Sequence, residues 1–334
     1  MAHQLEVGLT YDLRNEYPPY ASAPPDYYGE FDSEETVRYL EATIESLGHR
    51  VCRIGNADRL VRFIAEDKSV DIVFNIAEGM WGRAREAQVP AILEAFRIPY
   101  TFSDPLTLAL CLDKAMTKRL WRCEGLPTPD FCVVSEIAEL DQARRGLPDF
   151  PLFVKPAYEG SSKGISIESI IEADQELYER VEWVLTLYQQ PAMIEEFLPG
   201  REFTVGILGN EREARVLGVA EVTTVSQVRV NCFVHKEEWQ AFTQEKFVLV
   251  ESVSLKNKLS ELALQAYLAV GCRDLGRVDI RLDKDGNPQL LEINPLTGLH
   301  PTRSALPIIG RQVGISFKEM IAEILQHAIE RWSL

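Results

Sequence analysis

The stretch RVDIRLDKDGNPQLLEINP, Arg277 to Pro295, carries two carboxylates and a carboxamide at spacings that can bring them together. Asp285-Gly286 is a favoured two-residue hairpin turn, since both central positions of such a turn need positive φ. A turn centred there sets Asp279 opposite Glu292, Arg277 opposite Asn294 and Arg281 opposite Leu290. Side chains alternate faces along a strand, which sends Val278, Ile280, Leu282, Leu291 and Ile293 to the opposite, core-facing side. Like charges directly across a ladder destabilise a sheet unless something neutralises them. A hard divalent cation held by Asp279, Glu292 and the amide oxygen of Asn294 would do so. A solvated hairpin whose acids face water accounts for the same residues.

A second candidate is FPLFVKPAYEGSSKGISIES, Phe150 to Ser169. It reads as a strand ending at Lys155, a Gly/Ser loop, and a strand from Gly164. Gly160 and Gly164 permit a tight backbone, so the amides of Ser161, Ser162 and Lys163 could surround phosphate oxygens. This is no Walker A loop, because the lysine precedes the glycines and a strand follows. An ordinary hairpin loop with a surface lysine explains it as well. Lys114, in LDKAMTKRLWRCEGLPTP, starts a helix that Gly125 and Pro127 close; alone it reads as a solvated side chain.

Stepping outward, the first hundred residues alternate strand and helix. LEVGLT is a strand, Asp32-x-x-Glu35 a capping-box start, and Val37, Leu40, Ile44 and Leu47 recur at helical spacing until Gly48. RVCRI, ADRLVRFIAED, DIVFNIA, AQVPAILEAF and IPYTF continue the pattern as strand, helix, strand, helix and strand. The result is a doubly wound α/β unit without a GxGxxG after its first strand, which leaves a nicotinamide cofactor little support. Between first strand and first helix lies YDLRNEYPPYASAPPDYYGEF, long and tyrosine-rich, which favours an ordered lid over a free linker.

A chain of 334 residues implies two or three domains, and a net charge of −16 argues against nucleic acid or an anionic membrane as partner. An anionic substrate then requires a local basic pocket. The six cysteines form no CxxC pair, and the N-terminus lacks a signal-peptide apolar core. A reducing, cytoplasmic setting is expected.

Taken together, LDK…K, FVKPAYEGSSKGIS, IEEFLPGREFTVGIL, GRVDIRLDKDGNPQLLEIN and TGLHPTRSALP resemble, in order, the motifs of the ATP-grasp superfamily, and within it the D-alanine–D-alanine ligases. The resemblance implies an α/β (α+β) ATP-grasp fold in three parts: an N-terminal doubly wound α/β domain over 1–103, a central ATP-grasp subdomain over 104–194 and a C-terminal one over 195–334. It implies that Lys114 and Lys155 bind ATP phosphates beneath the Gly160, Ser161, Ser162 loop. Phe153, Glu195 and Leu198 would meet the adenine and Glu202 the ribose, while Lys236 would come from a mobile loop over the nucleotide. Asp279, Glu292 and Asn294 would hold two Mg²⁺ ions, with Mn²⁺ as an alternative. Arg277, the Gly298 amide and Ser304 would form the catalytic set, the first two at the tetrahedral oxyanion and Ser304 at the second substrate's carboxylate.

The family's chemistry is ligation: a carboxylate attacks the γ-phosphorus, and the acyl phosphate is then attacked by an amino-acid amine. Both amino-acid pockets depart from the pattern. VGLTYDLRNEY lacks the N-terminal Gly-Gly-x-Ser, AEGMWGRAREAQ replaces His-Gly-x-x-Gly-Glu-Asp-Gly, and NCFVHKEEW offers Lys236 without an adjacent Tyr. Thr297-Gly298-Leu299-His300 stands in place of Pro-Gly-Met-Thr, and Arg303 looks inserted beside Ser304. Arg303, Tyr27, Tyr28 and Glu86 are therefore the candidate substrate residues. The expectation is an ATP-dependent carboxylate–amine ligase acting on small molecules, with D-alanyl-D-alanine synthesis the leading case. Its alternatives are a ligase of the same mechanism with a non-standard acceptor, of the mycosporine type, and a nucleotide-binding module without turnover. Homodimers, common in that family, are a further expectation.

Overall fold

The computed structural model describes residues 4–18, 20, 22–224 and 245–334. Its N-terminal sheet is parallel, in the order β2-β1-β3, from β1 (Glu6–Tyr11), β2 (Arg50–Arg53) and β3 (Ile72–Ile76). Val7 and Leu9 of β1 and every residue of β3 are buried, the pattern of strands covered on both faces. Helices α1 (Glu34–Ser46), α2 (Ala57–Ala65) and α3 (Gln88–Ala95) supply the cover. Ser33, not Asp32, caps α1, its hydroxyl accepting from the Thr36 amide at 3.2 Å. IPYTF forms only a single bridge, Tyr100 to Val73, instead of a strand. Phe102 turns at φ 71° and donates its amide to Asp274 at 2.7 Å, which ends the extended run.

Helices α4 (Pro105–Leu112) and α5 (Lys114–Cys123) lead into a second, antiparallel sheet. Its order is β4-β7-β5-β6, from β4 (Phe131–Val134), β5 (Leu152–Pro156), β6 (Ile170–Ile171) and β7 (Ala192–Glu196). Helices α6 (Leu140–Arg144) and α7 (Asp174–Leu187) back it, and Leu152, Val154, Val181, Val184 and Ile194 make a core of its own. No strand starts at Gly164. Ser166 instead caps a short 3₁₀ turn, Ile167–Ser169, before two residues pair as β6.

The third sheet is antiparallel, β10-β9-β8-β11-β12, from β8 (Glu202–Leu208), β9 (Arg215–Thr224), β10 (Glu245–Leu249), β11 (Leu275–Leu282) and β12 (Pro288–Asn294). Helix α8 (Val253–Ala269) packs on one face with Trp121 of α5. Helices α9 (Ala305–Gln312) and α10 (Phe317–Trp332) join this sheet to the N-terminal one. Met320, Ile321 and Ile324 of α10 share a cluster with Val37 and Leu40 of α1 and with Leu208 and Leu217. The first and third sheets thus share a core while the second stands on its own, which leaves a cleft between the second and third. Among the described residues no helix is long and apolar enough to cross a membrane.

Candidate functional site

The floor of the cleft is the sheet face that carries Glu202 and Thr204 of β8 and Arg277, Asp279 and Arg281 of β11. Asp279 lies opposite Glu292 on one side and Thr204 on the other, and Arg277 lies opposite Asn294. The acid pair is as the sequence suggests, but the turn is not. Leu282 pairs with Pro288, so residues 283–287 form a longer loop in which Asp283 and Asn287 bond to each other and Gly286 takes φ 80°. That shifts the register by one residue, and Arg281 faces Gln289 and Ile280 faces Leu290. A bulge beside Asp279 then takes up the extra residue, Leu291. The acids regain their register, Leu290 goes into the core, and Leu291 lines the cleft instead of the core.

No charge on this floor stands alone. The Arg277 guanidinium clamps both oxygens of Asp279 at 3.0–3.2 Å, the Thr204 hydroxyl donates to Asp279 at 2.7 Å, and the Asn294 amide donates to it at 3.3 Å. Lys114 Nζ lies 3.1 Å from Glu292 and donates to the Glu159 carbonyl. Burial pushes the Glu292 carboxyl up, but the charges of Lys114, Lys155 and Arg277 outweigh it and hold it well below the usual range. Lys114 is itself raised, because Glu292 more than offsets its burial. It is a buried, paired lysine rather than the solvated one its helix position suggests when taken alone.

The opposite wall belongs to the second sheet. Phe153 and Lys155 project from β5, and Glu195 sits across from Phe153 on β7. Lys155 meets Glu195 at 2.5 Å, and Lys118, which is not among the candidate site residues of the sequence, meets it at 3.1 Å from the other side. Lys118 is fully buried and also donates to Thr128 and to the Leu290 carbonyl. Burial pulls Lys118 down to about 8 against the pull of Glu195, while the two lysines hold Glu195 below its ordinary value in spite of its burial. Lys118 lies one turn after Lys114 on α5, so the LDK…K spacing does carry a signal for both. Phe153 stacks on Phe197 at 6.4 Å, Leu198 lies beside it along the cleft, and Glu202 pairs with Arg281 at 3.2 Å.

The Gly/Ser loop closes one end. Ser161 and Ser162, at φ 49° and 60°, face the cleft. The Lys163 amide donates to the Gly160 carbonyl inside the turn, so it is not part of an open cradle. Gly160 donates its amide to Glu30 at 2.7 Å, and Glu30 is buried with Arg85 and Lys163. Burial pushes Glu30 up, and those two cations bring it down to about 2. Nothing in the sequence around Glu30 or Arg85 advertises this meeting of positions 30, 85 and 163.

At the other end Gly298 borders the cleft, and Ser304, the N-cap of α9, accepts from the His300 amide at 2.9 Å. Arg303 reaches Glu35 of α1 at 2.9 Å, and His300 Nε2 lies 3.2 Å from the same carboxylate. Tyr28 lines the cleft with its hydroxyl on the Pro18 carbonyl, and Tyr27 stands edge-on behind it. Glu86 is buried outside the cleft lining, and burial raises it to about 8. Lys236 lies outside the described residues.

The cleft so formed holds about 610 Å³, ample for a nucleotide with a small co-substrate. Its chemistry suits a hard dication. Two carboxylates and an amide oxygen are the donors such an ion takes, and protein cations now occupy both acids. Among the described residues no group of three or more His, Cys, Asp or Glu gathers to cage an ion. Mg²⁺ itself usually takes one or two protein carboxylates and keeps its remaining positions for phosphate oxygens and water.

The family described as D-ala D-ala ligase C-terminus matches residues 120–326. The uncharacterised protein y4sG of Sinorhizobium fredii is 33% identical over 87% of this chain and 86% of its own length. A D-alanine–D-alanine ligase of Pelotomaculum thermopropionicum is 31% identical over 79% of this chain and 82% of its own. In fold, the D-alanine–D-alanine ligase from Bacillus anthracis complexed with ATP is similar at a TM-score of 0.73 and 21% identity, over 98% of this chain and 99% of that one.

Proposed function

The chain belongs to the D-alanine–D-alanine ligase family, and we propose that it joins two D-alanine molecules at the cleft between its second and third sheets. It is an ATP-dependent ligase that couples a carboxylate to an amine and forms a C–N bond, with ATP and Mg²⁺ as its nucleotide and metal. The observation that carries the site assignment is the meeting of Asp279 and Glu292 with Lys114, Lys155 and Arg277 in one cleft of an otherwise acidic protein.

In this reading Phe153, Leu198 and the β7 end form the adenine side, and Glu202 meets the ribose. Glu195, gripped by two lysines, positions Lys155 as much as it lines the pocket. Lys114 and Lys155 take the phosphates, with Ser161 and Ser162 above them. Asp279, Glu292 and Asn294 would hold Mg²⁺, which supplies charge neutralisation at the transferring phosphoryl group. A carboxylate oxygen of the first substrate attacks the γ-phosphorus, and its bond to the bridging oxygen breaks to leave ADP. The second substrate's amine attacks the acyl carbon of the resulting acyl phosphate. Arg277 and the Gly298 amide stabilise the oxyanion, phosphate leaves, and the amine's proton passes to solvent. Ser304 and Arg303 hold the attacking molecule's carboxylate, and Tyr28, with Tyr27 against it, shapes the side of the first; Glu86, outside the cleft lining, is not part of that pocket. We place the protein in a reducing cytoplasm, a reading supported by free thiols at all five described cysteines. A homodimer is part of the proposal.

The test is incubation with Mg·ATP and D-alanine, followed by ADP and phosphate assays and mass analysis of the product. D-Alanyl-D-alanine with one ADP per bond supports the reading. ADP formation only with another amino acid or a larger acceptor in a substrate panel overturns the D-alanine assignment, and no nucleotide turnover with any pair overturns the ligase reading.

A further inference from the structure

Three successive turns carry the chain from Pro24 to Phe31, closed by the Tyr27, Gly29 and Phe31 amides on the Pro24, Asp26 and Tyr28 carbonyls. From this coil Asp26 and Glu30 both reach the Gly160–Gly164 loop. Four residues also separate Gly160 from Gly164 across the interface. The two pairs meet in opposite order. Glu30 accepts the Gly160 amide at 2.7 Å, and Asp26 accepts the Gly164 amide at 2.6 Å. Asp26 and the side chain of Glu30 are buried, and Asp26 takes the Tyr188 hydroxyl with both oxygens at 2.8 Å.

Backbone at both glycines suits the contact. Gly164 sits at φ 71°, and a Cβ at Gly160 would stand 2.6 Å from Glu30 Oε1. Neither glycine lines the cleft, where Ser161 and Ser162 are presented instead, and both amides are taken by carboxylates. Asp26 itself lies outside the cleft lining. It touches no position proposed for substrate, so its effect must pass through the loop.

We propose that Pro24 to Phe31, between β1 and α1, is a working part of the phosphate loop. Asp26 is a positioning residue that holds the Gly160–Gly164 loop closed through the Gly164 amide and Tyr188, so the nucleotide side closes fully only when the segment beside the first substrate is seated. This rests on the reading that the loop covers the ATP phosphates. The consequence is coupling: a loop released from Asp26 opens while an acyl phosphate is present, and water replaces the amine as its acceptor.

The experiment uses the full chain with Asp26→Ala, Asp26→Asn and Tyr188→Phe. Hydrogen exchange is followed over 157–166 with and without Mg·AMP-PNP, and ADP formed per dipeptide is measured with Mg·ATP and D-alanine. Loss of a buried hydrogen bond to a charged group should speed exchange in Asp26→Ala about tenfold. The ADP-to-dipeptide ratio should rise several-fold above the wild-type value. Asp26→Asn keeps an acceptor for Gly164 and should restore most of both, and Tyr188→Phe should fall between. A purely structural role would lower the thermal midpoint and kcat with the ratio unchanged. Wild-type exchange over 157–166 together with a wild-type ratio in Asp26→Ala would overturn the inference. Should that variant fail to fold, the same result in Tyr188→Phe would do so. Absence of turnover in the wild type would instead count against the ligase reading, and the exchange data would still decide the latch.

Discussion

Glu292→Gln separates the metal role of the acid pair from its structural one. Two facing acids alone would repel each other, and removing one would then be harmless to the fold or would help it. The geometry predicts the opposite, because the Lys114 and Glu292 side chains are 7% and 23% exposed and pair at 3.1 Å. Removing one partner of a fully buried pair costs about 3–5 kcal/mol. Here the partial exposure of Glu292, and the Glu159 carbonyl left to Lys114, reduce that to about 2 kcal/mol, a fall of roughly 4–8 °C in thermal midpoint on the scale of large domains. The pH behaviour follows from the sign of the shift. Glu292 is held below its unfolded value, so its stabilisation is complete above about pH 4.3 and is lost only as the pH falls through the depressed value. The gap between wild type and variant should therefore be the same at pH 7 and pH 5. The assay is thermal unfolding with no ligand, ADP, Mg²⁺, or both. At 100 times Kd a ligand adds about 2.7 kcal/mol, and in the wild type the increment from Mg²⁺ should appear only with ADP. In Glu292→Gln that increment should vanish while stabilisation by ADP alone remains. A wild-type Mg²⁺ increment in the variant would refute the metal assignment, and an unchanged midpoint without ligand would refute the ion-pair account.

Arg277→Ala should lower kcat about 10²–10³-fold, the cost of a lost oxyanion donor, with the KM for ATP little changed; a matching rise in KM would assign Arg277 to ground-state binding. Arg303→Ala should raise the KM of the amine-bearing substrate about tenfold, as loss of a charge-assisted bond requires. Glu35→Ala, which frees the Arg303 fork from its 2.9 Å partner, should lower that KM; steady-state values unmoved by either change would put the carboxylate pocket elsewhere. Burial raises Glu86 to about 8, so its neutral form favours the fold and stability should decline as the pH rises from the unfolded value, about 4.3, up to about 8. Glu86→Gln should flatten the thermal midpoint between pH 5 and 8, and an unaltered slope would show that Glu86 does not titrate there.

What could be read from the sequence was mostly local. Alternation along 277–294 placed Asp279 against Glu292 because a hairpin is a short-range object, and the glycines around Ser161 and Ser162 announced a tight loop. The errors were local as well. A two-residue turn at Asp285-Gly286 and a core position for Leu291 were both wrong, and the bulge that cancels the first error for the acids caused the second. A bulge leaves little trace in a pattern of period two. IPYTF failed as a strand because a contact with Asp274, 172 residues away, captures the Phe102 amide. The partners of the candidate site lay beyond reach for the same reason. Lys114 looks solvated on its own helix, but it is buried and paired with Glu292 and the Glu159 carbonyl, which arrive from two other elements.

The pairing pattern itself bears on how the site works. Lys114 holds Glu292, Lys155 holds Glu195, Arg277 holds Asp279 and Arg303 holds Glu35. An empty cleft lined with unpaired charges would be strongly destabilising, since an ion out of water needs a counter-ion close by. Here every charge needed for an anionic nucleotide is already balanced by a charge needed for something else. On the proposed assignment of Lys114 to phosphate and Glu292 to the metal, binding is then an exchange of partners. Phosphate oxygens that draw Lys114 away from Glu292 leave that carboxylate without its paired lysine, and the acid becomes a better ligand for a dication at that moment. A dication on Glu292 in turn leaves Lys114 without its carboxylate and more strongly drawn to phosphate. By linkage the two effects are equal in free energy, so nucleotide and metal should each tighten the other's binding. On that assignment the same exchange would keep the protein without nucleotide from collecting stray cations, because an ion arriving without phosphate would have to displace Lys114 and Arg277 from their carboxylates.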